Sequence, residues 1–267
     1  MAHLKIDKKT KLLMFLSAFF VSNALIAETI GTKIFSLEAL LGWSVSDFSL
    51  FGEDHLSFNL TVGVLLWPLE FVMTDIVNEY FGFRIVRRIS YIAVGLICYA
   101  FLMFYLGIHV PAPSWWIFGK IDQGVPNMQD AFSSIFGQGM WIIVGSICAF
   151  LFSQFVDAFI FQKIKKLTNG KYVWLRATGS TLFSQMVDSF IVLYIAFGIG
   201  AGWPWQKVLA IGLVNYTYKF TMAWVLTPVI LLAEKLIDRY LGKEEAEHMK
   251  RLSISEEEEE VEPIANL

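Results

Sequence analysis

Charged side chains are scarce in this chain, and their scarcity argues against a water-soluble fold. They make up 17% of the 267 residues, whereas a soluble domain carries about 25%. Hydrophobic residues account for 56%, above the roughly 45–50% of a soluble domain. The composition therefore predicts an integral membrane protein.

Cysteines are equally rare, and the spacing motifs of metal and nucleotide sites are missing. Cys98 and Cys148 lie in separate apolar segments without CxxC or Cys/His spacing, so we expect free thiols and neither a disulfide nor a metal site. Gly198, Gly200 and Gly202 follow no predicted strand and so do not make a phosphate-binding loop. No basic patch suggests nucleic-acid binding. We therefore expect no cofactor, no enzyme or intrinsic ATPase activity, and no nucleic-acid partner.

The chain contains one octapeptide motif that occurs twice. Six of eight positions are identical between Ser153-Gln154-Phe155-Val156-Asp157-Ala158-Phe159-Ile160 and Ser184-Gln185-Met186-Val187-Asp188-Ser189-Phe190-Ile191. Each copy lies in an apolar segment of about 20 residues or more, the length that crosses a bilayer. The basic connection between them contains Asn169-Gly170, which favours a tight reversal. We therefore predict an antiparallel hairpin of two membrane helices with a short polar ladder on it.

Counting residues from the basic ends of this hairpin gives the depth of its polar side chains. At 1.5 Å per residue, Gln154 and Gln185 both lie roughly 13 Å into the membrane, where they would face each other. Asp157 and Asp188 bracket them at roughly 9 and 18 Å. Lys219 lies about 24 Å deep in the sixth apolar segment. An ion pair between Lys219 and Asp188 is therefore expected.

Six segments are apolar and long enough to span a bilayer. They cover residues 12–29, 60–82, 89–107, 139–161, 177–199 and 208–236. Seventeen Lys and Arg residues lie at the two termini and in the connections 84–88 and 163–176, against three on the other side, so the positive-inside rule makes both termini cytoplasmic. The predicted fold is an all-α integral membrane protein with six transmembrane helices in residues 1–240. An acidic, disordered cytoplasmic tail is predicted for residues 241–267.

Two outer connections, roughly residues 30–59 and 108–138, are long and partly apolar. Each is expected to contain a short interfacial or re-entrant helix. The first span follows a lysine-rich start, like a signal peptide, but lacks a convincing cleavage site. We therefore expect it to be retained as a helix.

The second span brings further ionisable groups into the membrane. It contains Glu70, Asp75 and Glu79, and Pro68 is expected to kink it. A charged side chain at mid-bilayer costs about 2.5–3.5 kcal/mol, so such a residue is a candidate functional site. Because Asp188 is expected to pair with a lysine, Asp157 or Glu70 is left as a candidate proton carrier.

Structural explanations compete with a functional one. Gln154 and Gln185 could have the structural role of hydrogen-bonding their two helices together. Glu79 could have the structural role of anchoring its helix at the membrane interface. Intramembrane aspartyl proteases also place two aspartates on neighbouring helices. They need both at one depth, however, whereas Asp157 and Asp188 differ by roughly 9 Å.

Taken together, these motifs resemble one known family. The segment Pro68-Leu-Glu-Phe-Val-Met-Thr74-Asp75-Ile-Val-Asn-Glu79-Tyr-Phe-Gly82, the paired Ser-Gln-x-Val-Asp blocks and the segment Trp174-Leu-Arg-Ala-Thr-Gly-Ser-Thr181 are similar to the queuosine precursor transporter family, also described as vitamin uptake transporters. The resemblance covers about residues 12–235. It implies a multi-pass inner-membrane importer of 7-deazaguanine compounds, such as 7-cyano-7-deazaguanine, its aminomethyl relative or the related free base.

The polar inventory suits the substrate that this resemblance implies. A guanine-like edge offers two adjacent donors and one acceptor, which match a carboxylate and an amide. Substrate binding is predicted for Gln154, Asp157, Gln185, Asp188, Asp75 and Glu70, and gating or coupling for Glu79, Lys219 and Asn78. Transport would be facilitated or proton-driven, and the alternative is a substrate-capturing subunit for a separate ATPase. The expected partners are the small molecule and the lipid bilayer, and the choice between a monomer and a homodimer stays open.

Overall fold

The chain folds as a bundle of long helices with an irregular layer at one end, and a computed structural model describes residues 6–137, 139–168 and 172–253. In chain order the helices are α1 (Lys8–Ile30), α2 (Leu37–Leu41), α3 (Trp67–Phe81), α4 (Phe83–His109), α5 (Ser114–Ile117), α6 (Met128–Phe136), α7 (Met140–Leu167), α8 (Val173–Leu193), α9 (Trp205–Leu241) and α10 (243–253). A π-helical turn, Tyr194–Ile199, continues α8. The described residues are thus mostly helical, in line with the predicted all-α membrane protein.

All six predicted spans fall on helices, but one of them is shorter than expected. Among the described residues, five candidate spans are long and apolar enough to cross a membrane: α1, α4, the stretch that contains α6 and α7, Ala177–Ile199, and α9. The segment 60–82 instead gives a 3₁₀ turn, Val62–Leu65, followed by the 15-residue α3. At about 1.5 Å per residue α3 alone is about 22 Å long.

The predicted kink at Pro68 is wrong, because α3 begins at Trp67 and Pro68 lies in its first turn. A proline there removes no intrahelical hydrogen bond and has the dihedral angle that a helix needs. At the other end α3 stops at Gly82, whose φ of 79° favours glycine. α4 begins at the next residue, so Gly82 alone separates the two helices.

The short α3 is the centre of the bundle. It contacts α1, α4, α7, α8 and α9, and every side chain from Glu70 to Tyr80 is buried. Because protein surrounds it on all sides, its polar residues need not face lipid. This explains why a helix with three carboxylates can occupy the middle of a membrane protein.

The first outer connection contains strands as well as the short helix that the sequence suggests. β1 (Ile34–Ser36) pairs antiparallel with β4 (Asn59–Thr61), and β2 (Phe48–Leu50) pairs with β3 (Glu53–Leu56). Strands of three or four residues are too short to show an alternating pattern in the sequence. The second outer connection contains α5 and α6, in line with the expected short helices.

One buried carboxylate, that of Glu38, holds the first connection together. It accepts hydrogen bonds from the Phe58 amide at 2.9 Å, the Ser36 hydroxyl at 3.0 Å and the Ser46 amide at 3.4 Å. Burial alone would raise the pKa of Glu38, but these hydrogen bonds outweigh it and lower the pKa to about 2. The carboxylate form therefore stabilises this connection.

We expect the connection to loosen in acid. The folded pKa of Glu38 lies below its ordinary value of 4.5, so its stabilisation is complete above about pH 4.5 and is lost as the pH falls towards about 2. Hydrogen exchange of the amides between residues 42 and 58, corrected for intrinsic rates, should rise over that interval. Glu38→Gln should remove the pH dependence, whereas Asp54→Asn, which changes an exposed carboxylate nearby, should leave it. Equal profiles for both variants would contradict this role.

The end of the described chain differs from the predicted disordered tail, because residues 243–253 form α10. Its buried side chains Ala246 and Met249 belong to the main apolar core. Lys250 pairs with Glu234 at 2.6 Å and Asp238 at 3.0 Å; burial acts to lower the pKa of Lys250, but these contacts outweigh it and raise the pKa. Two apolar residues among many charges give too weak a signal for sequence analysis. The acidic run of the predicted tail lies outside the described residues.

A candidate substrate site at the helix α7–α8 hairpin

The two octapeptides face each other across the predicted hairpin and exchange hydrogen bonds crosswise. Ser184 of the second copy donates to Asp157 of the first at 2.8 Å. Ser153 of the first copy lies 3.5 Å from the Asp188 carboxylate of the second, at the outer limit of a hydrogen bond. Each copy thus presents its serine to the aspartate of the other. The Asn169-Gly170 turn that was predicted to join them lies outside the described residues.

The hairpin is closed in this structure. A methyl group added to Gly145 of α7 would lie only 3.0 Å from the Val192 carbonyl oxygen of α8, so the two backbones touch. At the octapeptides the Ser184 hydroxyl lies 2.8 Å from the Asp157 carboxylate, so a ring could enter between them only after the two helices separate.

The predicted ion pair between Lys219 and Asp188 is present, and it joins α9 to α8. Lys219 donates directly to the Asp188 carboxylate, and both side chains are buried. A buried charge needs a partner of this kind, because an unpaired one is costly in a medium of low polarity. The depth count from the sequence was therefore sufficient to find this contact.

The two glutamines do not hydrogen-bond each other, so the expected amide hydrogen bond between α7 and α8 is not formed. The Oε1 atom of Gln154 accepts from the Thr74 hydroxyl of α3. Among the described residues, neither polar atom of Gln185 has a hydrogen-bond partner, although its side chain is completely buried. Gln154 therefore connects α7 to the central helix, while Gln185 presents an amide without a partner.

Glu70 continues this polar chain toward α1. One of its carboxylate oxygens accepts from the Asn23 amide at 2.7 Å. Its other oxygen, like the second oxygen of Asp157 and the amide nitrogen of Gln154, has no hydrogen-bond partner among the described residues. Three neighbouring helices thus carry buried donors and acceptors that the described protein does not satisfy.

At its other end, the polar face of α3 is fully engaged in structural contacts. Asn78 donates to the Ala158 carbonyl at 3.0 Å and accepts from Gln162 at 2.7 Å. Asp75 lies 3.4 Å from the Ser180 hydroxyl and 3.5 Å from that of Thr181. These contacts tie α3 to α7 and α8.

The expectation that Glu79 is an interfacial anchor is wrong, because Glu79 is buried. It pairs with Lys165 of α7 at 3.1 Å. The same lysine donates to the Glu79 carbonyl at 2.9 Å and to the Ser253 hydroxyl of α10 at 2.8 Å. Glu79 therefore belongs to an inner cluster, Glu79–Lys165–Ser253, that closes the end of the bundle.

Sequence analysis missed several residues that the structure brings into this network. Lys165 was assigned to a connecting loop, but α7 continues to Leu167 and buries it. Ser180, Ser184 and Asp188 recur every four residues on α8, a spacing that shares one helix face and could have revealed the serines. Glu28 of α1 accepts from the Ser146 hydroxyl of α7, and no pattern in the sequence points to this pair.

A family model and a curated protein match parts of this chain. The family model described as "Putative vitamin uptake transporter" matches residues 61–233, a range that runs from β4 into α9. A protein of Bacillus subtilis (strain 168) named "Probable queuosine precursor transporter" is 30% identical over 180 residues, which cover 66% of this chain and 72% of that protein. No solved structure matches the chain. The matched range includes both octapeptides, α3 and Lys219.

Proposed function

Because the chain belongs to the vitamin uptake transporter family, we propose that it imports queuosine precursors across the inner, or plasma, membrane. As a member of a transporter family it is a multi-pass membrane transporter and not an enzyme. The relative from Bacillus subtilis carries the name of a queuosine precursor transporter. The proposed cargo is therefore a 7-deazaguanine compound, with 7-cyano-7-deazaguanine and its aminomethyl relative as the first candidates.

The proposed topology has six spans with both termini in the cytoplasm. The 3₁₀ turn before α3 adds four residues, and at about 2.0 Å per residue it brings the combined element to about 30 Å, the thickness of the hydrocarbon core. Because protein surrounds α3 on all sides, its three carboxylates do not have to face lipid. The lysine and arginine bias then sets the orientation.

The observation that carries the proposed binding mode is the set of buried polar atoms without partners. Within the part of the chain that the structure describes, Asp157 and Glu70 each have one carboxylate oxygen without a hydrogen-bond partner, and neither polar atom of the Gln185 amide has one. Carboxylates accept the two adjacent donors of a guanine-like edge, and an amide donates to its carbonyl oxygen. We assign recognition of the ring to these residues together with Gln154.

The remaining predicted residues hold and gate this site. Lys219 neutralises Asp188, so this aspartate positions the hairpin and faces the ligand only when the pair opens. The gate is proposed at the inner cluster, which contains Glu79 and lies next to Asp75 and Asn78 on α3. Substrate would leave for the cytoplasm there. A gate there would have to part the contacts of Glu79 with Lys165 and Ser253.

Replacing Asp157 by Asn should test ring recognition. The change keeps the size of the side chain but removes the charge, and hydrogen bonds to charged groups contribute about 1.5–3 kcal/mol. We expect uptake of labelled 7-cyano-7-deazaguanine by proteoliposomes to fall roughly tenfold or more. Asp122→Asn, which changes an exposed carboxylate in an outer connection, should transport like the unaltered protein. Unchanged uptake by Asp157→Asn would remove the hairpin from the site.

The same proteoliposomes identify the energy source. Uptake by the purified chain alone would exclude the role of a capturing subunit that depends on a separate ATPase. Collapse of an imposed pH gradient should slow uptake if Asp157 or Glu70 carries a proton with the substrate. Uptake that is insensitive to the gradient would identify facilitated transport.

A further inference from the structure

A second feature beside Gln154 is a cavity between α4 and α7. This cavity has a volume of about 260 Å³, and its lining includes Phe83, Arg87, Ser90, Tyr91, Gln154 and Phe155. Its size is close to the lower end of the range for small-molecule pockets, roughly 300–1,000 Å³. Gln154 is therefore shared between the polar cluster around α3 and an open space.

Two polar atoms of this lining have no partner within the described chain. They are the hydroxyl of Ser90 and the amide nitrogen of Gln154, and the two side chains are only 4% and 1% exposed. Buried polar groups are nearly always hydrogen-bonded, to protein or to ordered water, so these two atoms are available to a ligand or a water at the wall of the cavity. Gln154 supplies a donor there, and Ser90 can donate or accept.

Most of the remaining lining is apolar, and its aromatic rings suit a flat molecule. The rings of Phe83 and Phe155 meet edge to face with their centroids 5.4 Å apart, and Tyr91 adds a third ring. The Arg87 guanidinium lies over the Phe83 ring, 5.7 Å from its centroid. Aromatic rings and guanidinium planes both stack on planar heterocycles.

We propose that this cavity is a staging site in which a planar nitrogen heterocycle stacks against Phe155 while its polar edge bonds to Gln154 and Ser90. The inference rests on the proposed function, since it assigns the cavity to the same cargo. In the proposed topology the arginine end of α4 faces the cytoplasm. The cavity, which this end of α4 lines, therefore lies in the cytoplasmic half of the membrane. Gln154 would then contact the substrate both in this cavity and in the proposed site at the α7–α8 hairpin.

The chain offers matched variants for a test. Ser90→Ala removes a hydroxyl that makes no hydrogen bond among the described residues, so the fold loses nothing. Phe155→Leu removes a ring from the cavity. Phe159→Leu removes the neighbouring ring, which stacks on Phe155 at 6.4 Å but does not line the cavity.

Binding of 7-cyano-7-deazaguanine to the full chain in lipid nanodiscs is the measurement. We expect Ser90→Ala to weaken binding about threefold to tenfold without lowering the unfolding temperature, and Phe155→Leu to weaken it about tenfold. Phe159→Leu should bind like the unaltered protein. Binding that is unchanged in both Ser90→Ala and Phe155→Leu would overturn the proposal.

Two further readouts separate the possible failures. Uptake by the unaltered protein in proteoliposomes tests the transport function by itself: if it occurs while the cavity variants bind normally, only the staging site is refuted. Absence of both binding and uptake in the unaltered protein would refute the transport function and the staging site with it. Native mass spectrometry that finds a phospholipid lost in Phe155→Leu, with heterocycle binding intact, would assign the cavity to an acyl chain and overturn the proposal.

Discussion

Lys219→Met is expected to abolish uptake and to destabilise the folded protein by about 3–5 kcal/mol, because it leaves one charge of a buried pair without its partner. The Asp188 carboxylate has only 6% of its surface exposed and receives its direct charged contact from Lys219. The hydrogen bond from Ser153 at 3.5 Å is too long to replace the lysine. Thermal unfolding of the purified protein in detergent, with uptake in proteoliposomes, measures both effects.

Combining this change with Asp188→Leu separates charge from packing. The double variant removes both members of the Lys219–Asp188 pair, and replacement of a complete buried pair by apolar groups is often neutral. Most of the lost stability should therefore return, while uptake stays absent. Lys235→Met, which alters an exposed lysine of the same helix, should change neither quantity. A double variant as unstable as Lys219→Met would show that the charge is not the cause.

Gln185→Met is expected to change stability and transport in opposite directions. Neither polar atom of Gln185 has a hydrogen-bond partner among the described residues, and each such buried group costs about 1–3 kcal/mol. Methionine has a similar length and no amide, so the folded protein should become more stable by about 1–3 kcal/mol. Uptake should fall roughly tenfold or more, because the amide would no longer reach the ring.

Gln162→Met provides the matched comparison for this change. Gln162 is also a completely buried glutamine, but its amide donates to Asn78 at 2.7 Å. Its replacement should therefore lower the unfolding temperature, in contrast to Gln185→Met. If both variants lose stability to the same degree, Gln185 is a structural residue and its assignment to the substrate site fails.

The parts of the site that the sequence predicts are those in which spacing along one helix is sufficient. The repeated octapeptides indicated the hairpin, and the depth of Lys219 relative to Asp188 indicated their ion pair. Both inferences need only the regular rise of a helix. The serines that bond crosswise to Asp157 and Asp188 lie inside the same octapeptides, but their partners depend on how the two helices approach each other.

The parts that the sequence does not predict depend on what surrounds a helix. Hydropathy counts residues 60–82 as one more span, since it cannot show that protein encloses α3 on every side. It likewise assigns Lys165 to a loop, because a lysine normally ends an apolar run. A buried lysine is stable at this position because Lys165 pairs with Glu79 and donates to Ser253. Sequence analysis does not find these partners, since they come from distant parts of the chain.

The crosswise exchange between the octapeptides has a consequence for how such a hairpin could arise. When residue i of one copy contacts residue j of the other, and j contacts i in return, the interface has the form found between identical subunits related by a two-fold axis. One ancestral helix that met an oppositely oriented twin could have made the same pair of serine–aspartate contacts. Lys219 breaks the equivalence of the two copies, because it pairs with the aspartate of the second copy, Asp188.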